Sequence, residues 1–191
     1  MRSPGHLTIR ATMSQYRRAR TGSTCFFTLV SYERRPILCD PPIRNLLRLA
    51  VQNVRVRCPF AIDAWVLMPD HLHCIWTLPE GDTDYSTRWA QIKRTVSRFC
   101  DAGMHVPRPA SESRRKHRDS AIWQRRFYEH QIRDGDDFAR HVDYVHFNPV
   151  RHGHAESAAA WPFSTFHRYV RAGTISADWG GSMQSAEMDL E

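Results

Sequence analysis

Pro69-Asp70-His71-Leu72-His73 sets two imidazoles two residues apart. In an extended chain side chains alternate, so His71 and His73 share one face, roughly 7 Å apart along the strand, and Leu72 turns away. Two imidazoles on an open face can chelate a divalent metal. The blander reading is two ordinary surface histidines on a hairpin. A second constellation is Tyr144-Val145-His146-Phe147-Asn148-Pro149. Tyr144 and Asn148 are four apart and share a helix face, with His141 one turn before them. Phe138, Val142 and Val145 form a separate apolar stripe, so Tyr144 is expected off that stripe; its plainer reading is a rim tyrosine that packs its ring and wets its hydroxyl. A tyrosine that cleaves a phosphodiester needs its phenolic oxygen in line with phosphorus and a Lewis acid on a non-bridging oxygen. His71 and His73 would supply two ligands and the Asn148 amide carbonyl a third. Mixed nitrogen and oxygen ligation with open positions suits Mg²⁺ or Mn²⁺.

These residues need elements to hold them. Cys25–Tyr32 (CFFTLVSY) is aromatic and β-branched and predicts a strand. Pro41–Arg57 carries apolar residues at helical spacing behind two prolines and predicts a helix. Ile62–Leu67 and His71–Leu78 predict two strands of a hairpin turned at Met68-Pro69-Asp70. Thr87–Cys100 predicts a second helix, the stretch WQRRF within 122–132 a further strand, and Asp134–Phe147 a helix that Asn148-Pro149 ends. Residues 161–171 are expected to form a short final element. The order β-α-β-β-α-β followed by a helix is an α+β, ferredoxin-like split β-α-β pattern. It implies an antiparallel sheet with two helices on one face and the tyrosine-bearing helix on the other.

The net charge is +7 and the basic residues are nearly all arginine. Arginine forks phosphates and stacks on bases, so nucleic acid is the leading partner class, with codon bias as the alternative source of arginine. Arg114, Arg115 and Lys116, then Arg125 and Arg126, flank Trp123, a pattern suited to a flexible single strand. Its plainer counterpart is a basic loop beside a buried indole. Arg17 and Arg18 lie in a basic segment, 1–22, expected to be a flexible arm around a domain at 23–173. Residues 174–191 are acidic and expected to be a disordered tail. Five cysteines, an odd number without CxxC spacing, argue against a disulfide framework and fit a reducing cytoplasm. No apolar run is long enough for a membrane span.

Met68–Pro79 (MPDHLHCIWTLP) resembles the His-hydrophobic-His signature of the HUH endonucleases. Trp123–Gly153 (WQRRFYEHQIRDGDDFARHVDYVHFNPVRHG) and Trp161–Val170 (WPFSTFHRYV) resemble the REP-associated branch of the single-tyrosine transposases. The similarity runs from about Gln15 to Gly180. It implies a ferredoxin-like fold and a bacterial, nucleoid-associated enzyme that cuts single-stranded DNA through a 5′-phosphotyrosine and rejoins it without ATP. The implied substrates are repetitive extragenic palindromes folded as hairpins. Tyr144 would be the nucleophile and His71 and His73 the metal pair. Asn148 falls where related transposases place a glutamine ligand, and its side chain is shorter. Arg151 is a further candidate for DNA contact. The resemblance admits a monomer or a homodimer. A domesticated relative that binds hairpin DNA without cutting is the alternative, and a replication initiator or relaxase ranks below both.

Overall fold

The computed structural model describes residues 23–100 and 122–180. Strands β1 (Thr24–Val30), β2 (Ala61–Leu67), β3 (His71–Thr77) and β4 (Tyr128–Gln131) form one antiparallel sheet in the order β2-β3-β1-β4. Helix α1 (Pro41–Arg57) carries the chain from β1 across β3 to β2, and α2 (Tyr85–Phe99) carries it from β3 to β4. This is the split β-α-β arrangement expected from the sequence. Helix α3 (Gly135–Arg151) and the short α4 (Phe166–Arg171) follow.

The sheet separates two cores. Leu72, Cys74 and Trp76 of β3 join Phe27 of β1 beneath α1 and α2, where Trp76 stacks on Trp89 at 3.9 Å. Phe26, Ala64, Val66 and Ile75 face the other way and pack against Phe138, Val142, Tyr144, Val145 and Phe147 of α3. Strand β3 is therefore buried at every position. Ile75 lies on the same sheet face as the two histidines because α3 covers that face.

Four local expectations change. The strand assigned to WQRRF begins later, at Tyr128, and Trp123 makes only an isolated bridge to Ser31. Helix α2 starts at Tyr85, where Asp84 accepts a hydrogen bond from the Thr87 amide. Helix α3 does not stop at Asn148-Pro149 but continues to Arg151. A proline in the last turn forfeits one backbone bond, and the bonds His152 N–H to Asn148 C=O and His154 N–H to Pro149 C=O close the end beyond it. Residues 174–180, expected in the tail, instead join the body: Ile175 is buried, Trp179 packs beside Phe147, and Gly180 lies against Phe147 with φ +81°. The arm at 1–22 and the remainder of the tail lie outside the described residues.

The segment before α4 completes the edge of the sheet. The Leu67 amide donates to Phe163 C=O at 2.9 Å and the Thr165 amide to Trp65 C=O at 2.8 Å. Backbone pairing there satisfies groups that an open β2 edge would leave exposed. Among the described residues no helix is long and apolar enough to cross a membrane.

Candidate active site

The register of β1 on β3 places Thr28 opposite His73 and Val30 opposite His71. Thr28 Oγ1 lies 2.8 Å from His73 Nδ1, which leaves Nε2 on the outer side of that ring. Asp70 Oδ1 lies 2.6 Å from His71 Nδ1, and Arg34 binds the other carboxylate oxygen at 3.1 Å. Arg34 and its neighbour Glu33 sit in left-handed backbone at φ 51° and 55°, an unfavourable conformation for residues with a Cβ. The hydrogen bonds orient both imidazoles, whose centroids are 4.8 Å apart.

Helix α3 brings the other half of the site. The tyrosine ring of Tyr144 meets His73 edge to face at 5.1 Å and Phe26 at 5.8 Å, with the Arg151 guanidinium 5.5 Å from its centroid. Asn148 Oδ1 stands 3.2 Å from His71 Nε2. The structure thus gathers Tyr144, His71, His73, Asn148 and Arg151 around one point. Tyr144 differs from its expected rim position, being only 2% exposed. The reason is that α3 is covered twice, by the sheet on one side and by Trp161, Tyr169 and Trp179 on the other, so residues off its main apolar stripe are buried as well.

The donor set fits a divalent cation. If Nδ1–H of His71 donates to Asp70, its Nε2 is an acceptor. It then faces the Oδ1 acceptor of Asn148, an arrangement that a cation between them stabilises. The Asn148 amide nitrogen is correspondingly buried without a hydrogen-bond partner. Turning that amide over would give Nε2 a donor instead. Burial holds His73 well below the usual imidazole range, assisted by the positive neighbours His71, His152, Arg151 and Arg34. A neutral imidazole is the form that ligates metal. Burial would raise the Asp70 carboxyl, but hydrogen bonds from His71 and Arg34 outweigh it and hold the group below its ordinary value. A carboxylate that takes the far N–H of a ligating histidine is the usual outer support of such a site.

Sequence reasoning missed Thr28, Arg34 and His152. His152 lies one turn beyond Asn148, its ring 5.1 Å from His71. Burial, then His71 and Arg151, lower its pKa. The continuation of α3 through Pro149 is what carries His152 there, and the expected helix stop concealed it. Nothing local in the sequence marks Thr28, which reaches His73 through strand pairing.

The DNA-contact candidates divide. Arg125 and Arg126 are exposed beside β4. Trp123 is 2% exposed in the α1–α2 core and offers no ring face to a base. Arg17, Arg18, Arg114, Arg115 and Lys116 lie outside the described residues.

A second histidine cluster occupies the other end of α3. His130, Asp137 and His141 present ligand atoms within 4.8 Å of one another. Asp137 there accepts from His130 Nε2 at 3.0 Å and from the Arg133 amide and Nε at 3.0 and 3.2 Å. His141 Nδ1 lies 3.2 Å from its other oxygen.

A scan against protein-family models finds no match. The chain is 43% identical over 172 residues to the REP-associated tyrosine transposase of Escherichia coli K12, across 90% of this chain and 93% of that protein. It is 42% identical over 171 residues to a Haemophilus influenzae protein described by the same family name, covering 89% of this chain and 95% of the relative. A solved structure of a REP-associated tyrosine transposase bound to a REP hairpin superposes with a TM-score of 0.69 at 41% identity, covering 90% of this chain and 94% of that one.

Proposed function

The chain belongs to the REP-associated tyrosine transposases, and on that footing we propose that it cuts and rejoins palindromic hairpin DNA through a covalent 5′-phosphotyrosine on Tyr144, with a divalent metal held by His71 and His73. The observation that carries this reading is α3 lying across the sheet so that Tyr144 and Asn148 meet the histidine pair within a single chain. That self-contained site supports a monomer as the working unit. The relative solved with a REP hairpin supports the choice of substrate.

In the reaction the Tyr144 oxygen attacks phosphorus and the bond to the 3′ oxygen breaks, releasing a 3′-hydroxyl end. A 3′-hydroxyl attacking the phosphotyrosine reverses the step, and the conserved phosphoester removes any need for ATP. His71, His73 and either Asn148 or His152 would hold the Mg²⁺ or Mn²⁺, which when bound supplies Lewis-acid stabilisation to the non-bridging oxygens. Asp70 holds His71 in the tautomer with a free Nε2, and Thr28 binds His73 through Nδ1 and leaves its Nε2 free. Arg151, 5.5 Å from the centre of the Tyr144 ring, adds positive charge where phosphate must enter. The buried surroundings exclude water from the tyrosine.

Incubation of the protein with an end-labelled hairpin oligonucleotide and Mn²⁺ should give an adduct that survives denaturant. Tyr144→Phe should lose it by at least about a thousandfold, and chelation should abolish it in the parent. An adduct that persists in Tyr144→Phe overturns the assignment of the nucleophile. The burial of Tyr144 is the one observation favouring the non-catalytic hairpin binder. Tight hairpin binding with no adduct under any divalent metal would decide for that reading.

A further inference from the structure

On the α1 side of the sheet, a cleft of about 370 Å³ runs along the outer edge of β2. Arg44, Arg48 and Arg55 of α1 form one wall, and Trp65 of β2 with Phe163 forms the other. The three arginines are four and eleven residues apart, which at about 100° per residue puts them on one stripe, spread over roughly 16 Å of helix. No acidic side chain lines the cleft. Arg44 and Arg55 donate to the main-chain carbonyls of Cys39 and Phe60, each at 3.0 Å. Among the described residues neither forms an ion pair. An arginine-decorated helix face is commonplace, but this one faces half-buried aromatic rings, and Arg44 lies 4.4 Å above the Phe163 ring.

Those rings are the end of a path. From the catalytic pair, His71 neighbours His152 at 5.1 Å, His152 neighbours His154 at 6.4 Å, His154 neighbours Trp161 at 5.9 Å, and Trp161 neighbours Phe163 at 5.6 Å. His152 and His154 are exposed, and Trp161 and Phe163 are half-buried. Each link is within ring-contact range of the next, so the path leads from the proposed metal site around the sheet edge into the arginine cleft.

We infer that this path and cleft form a track for single-stranded DNA flanking the cleaved hairpin, with rings taking bases and Arg44, Arg48 and Arg55 taking phosphates. The inference rests on the function proposed above and adds where the unpaired strand lies. Partly exposed rings next to arginines without ion-pair partners among the described residues suit a single strand, whose base faces are free to stack. A duplex hides those faces in its own stack.

The test uses the full chain carrying Tyr144→Phe, so that nothing is cut. Fluorescence anisotropy compares a labelled hairpin with the same hairpin bearing a single-stranded extension of about ten nucleotides. The extension should tighten binding about tenfold or more. Arg48→Glu with Arg55→Glu, both at exposed positions, should erase that ratio. The charge-keeping pair Arg48→Lys with Arg55→Lys should retain the salt dependence, and the pair Arg48→Ala with Arg55→Ala should lower its logarithmic slope by about 1.4. A duplexed extension should give no gain. In a photocrosslink, 5-iodouracil in the extension should label the segment Trp161–Phe163. A full gain in the charge-reversed protein, an equal gain from a duplexed extension, or crosslinks confined elsewhere would overturn the track. Because all these readouts are binding, they stand apart from adduct formation by the parent. An adduct without a strand-dependent gain rejects the track alone, and a gain without an adduct rejects the cleavage reading alone.

Discussion

The two ends of α3 each gather histidines, and they differ in whether polar groups are matched. At the N-terminal end Asp137 is enclosed by His130, Arg133, Arg140 and His141, with donors on both carboxylate oxygens. Positive groups meet a negative one near a helix N-terminus, where a carboxylate also favours the macrodipole. At the C-terminal end Asn148 Oδ1 stands 3.2 Å from His71 Nε2, the Asn148 amide nitrogen has no hydrogen-bond partner, and the imidazole of His73 is surrounded by other cationic or potentially cationic groups. Buried polar groups are ordinarily satisfied, and the proposed divalent cation would relieve this mismatch. Both clusters have metal-binding residue types, and they differ in that Asp137 is already paired with positive groups on both oxygens.

Substitutions can break or sharpen that contrast. His73→Ala should reduce metal-dependent adduct formation by about a thousandfold or more, well beyond the roughly 2 kcal/mol of stability lost by emptying a buried position. If cleavage survives, the C-terminal end is not the metal site. Asp137→Asn should leave metal binding alone. It removes the charge faced by His130 and the exposed Arg133 and Arg140 and should cost about 1–2 kcal/mol of unfolding free energy in a denaturant titration, with unchanged divalent-metal affinity. A drop in metal affinity equal to that from His73→Ala would erase the distinction. Asp70→Asn acts on the support of His71 and should weaken divalent-metal binding by about 10–100-fold, as measured by calorimetry.

The smallest effect concerns pH. His146 is buried, with Nε2 3.0 Å from Thr165 Oγ1 and no partner on Nδ1. Burial, followed by Arg168 and His167, lowers its pKa to about 3. The unfolded chain binds the proton near pH 6.5. The folded state therefore has its full advantage above about pH 6.5. It loses that advantage as the pH falls towards about 3. His146→Gln should flatten the decline of melting temperature between pH 6.5 and 4, and an unchanged profile would assign the decline to other groups.

How much of this was legible in the sequence depended on range. The apolar stretches on either side of Met68-Pro69-Asp70 located β2 and β3, and period-two alternation put His71 and His73 on one face. Helical spacing located α1 within its exact bounds and joined Tyr144 to Asn148. The chain's own order of elements gave the sheet topology. The strand at WQRRF was misplaced because Trp123, Phe127 and the flanking arginines imitate a strand locally, whereas pairing with β1 begins only at Tyr128. Pro149 resembled a helix stop because local propensity disregards the packing that extends α3.

The sequence by itself determined the residue types, their spacing along each element and the α+β order that lets α3 return to the sheet. Those follow from local backbone geometry, which depends on neighbours three or four residues away. Only the tertiary structure decided that Tyr144 is buried, that Thr28 steadies His73 across a strand pair, and that His152 joins the site from beyond a proline. It also turned an arginine stripe on α1 and a few scattered rings after α3 into one continuous surface. Those relations join residues tens to more than a hundred positions apart, and their geometry is set by packing the two cores on opposite faces of one sheet.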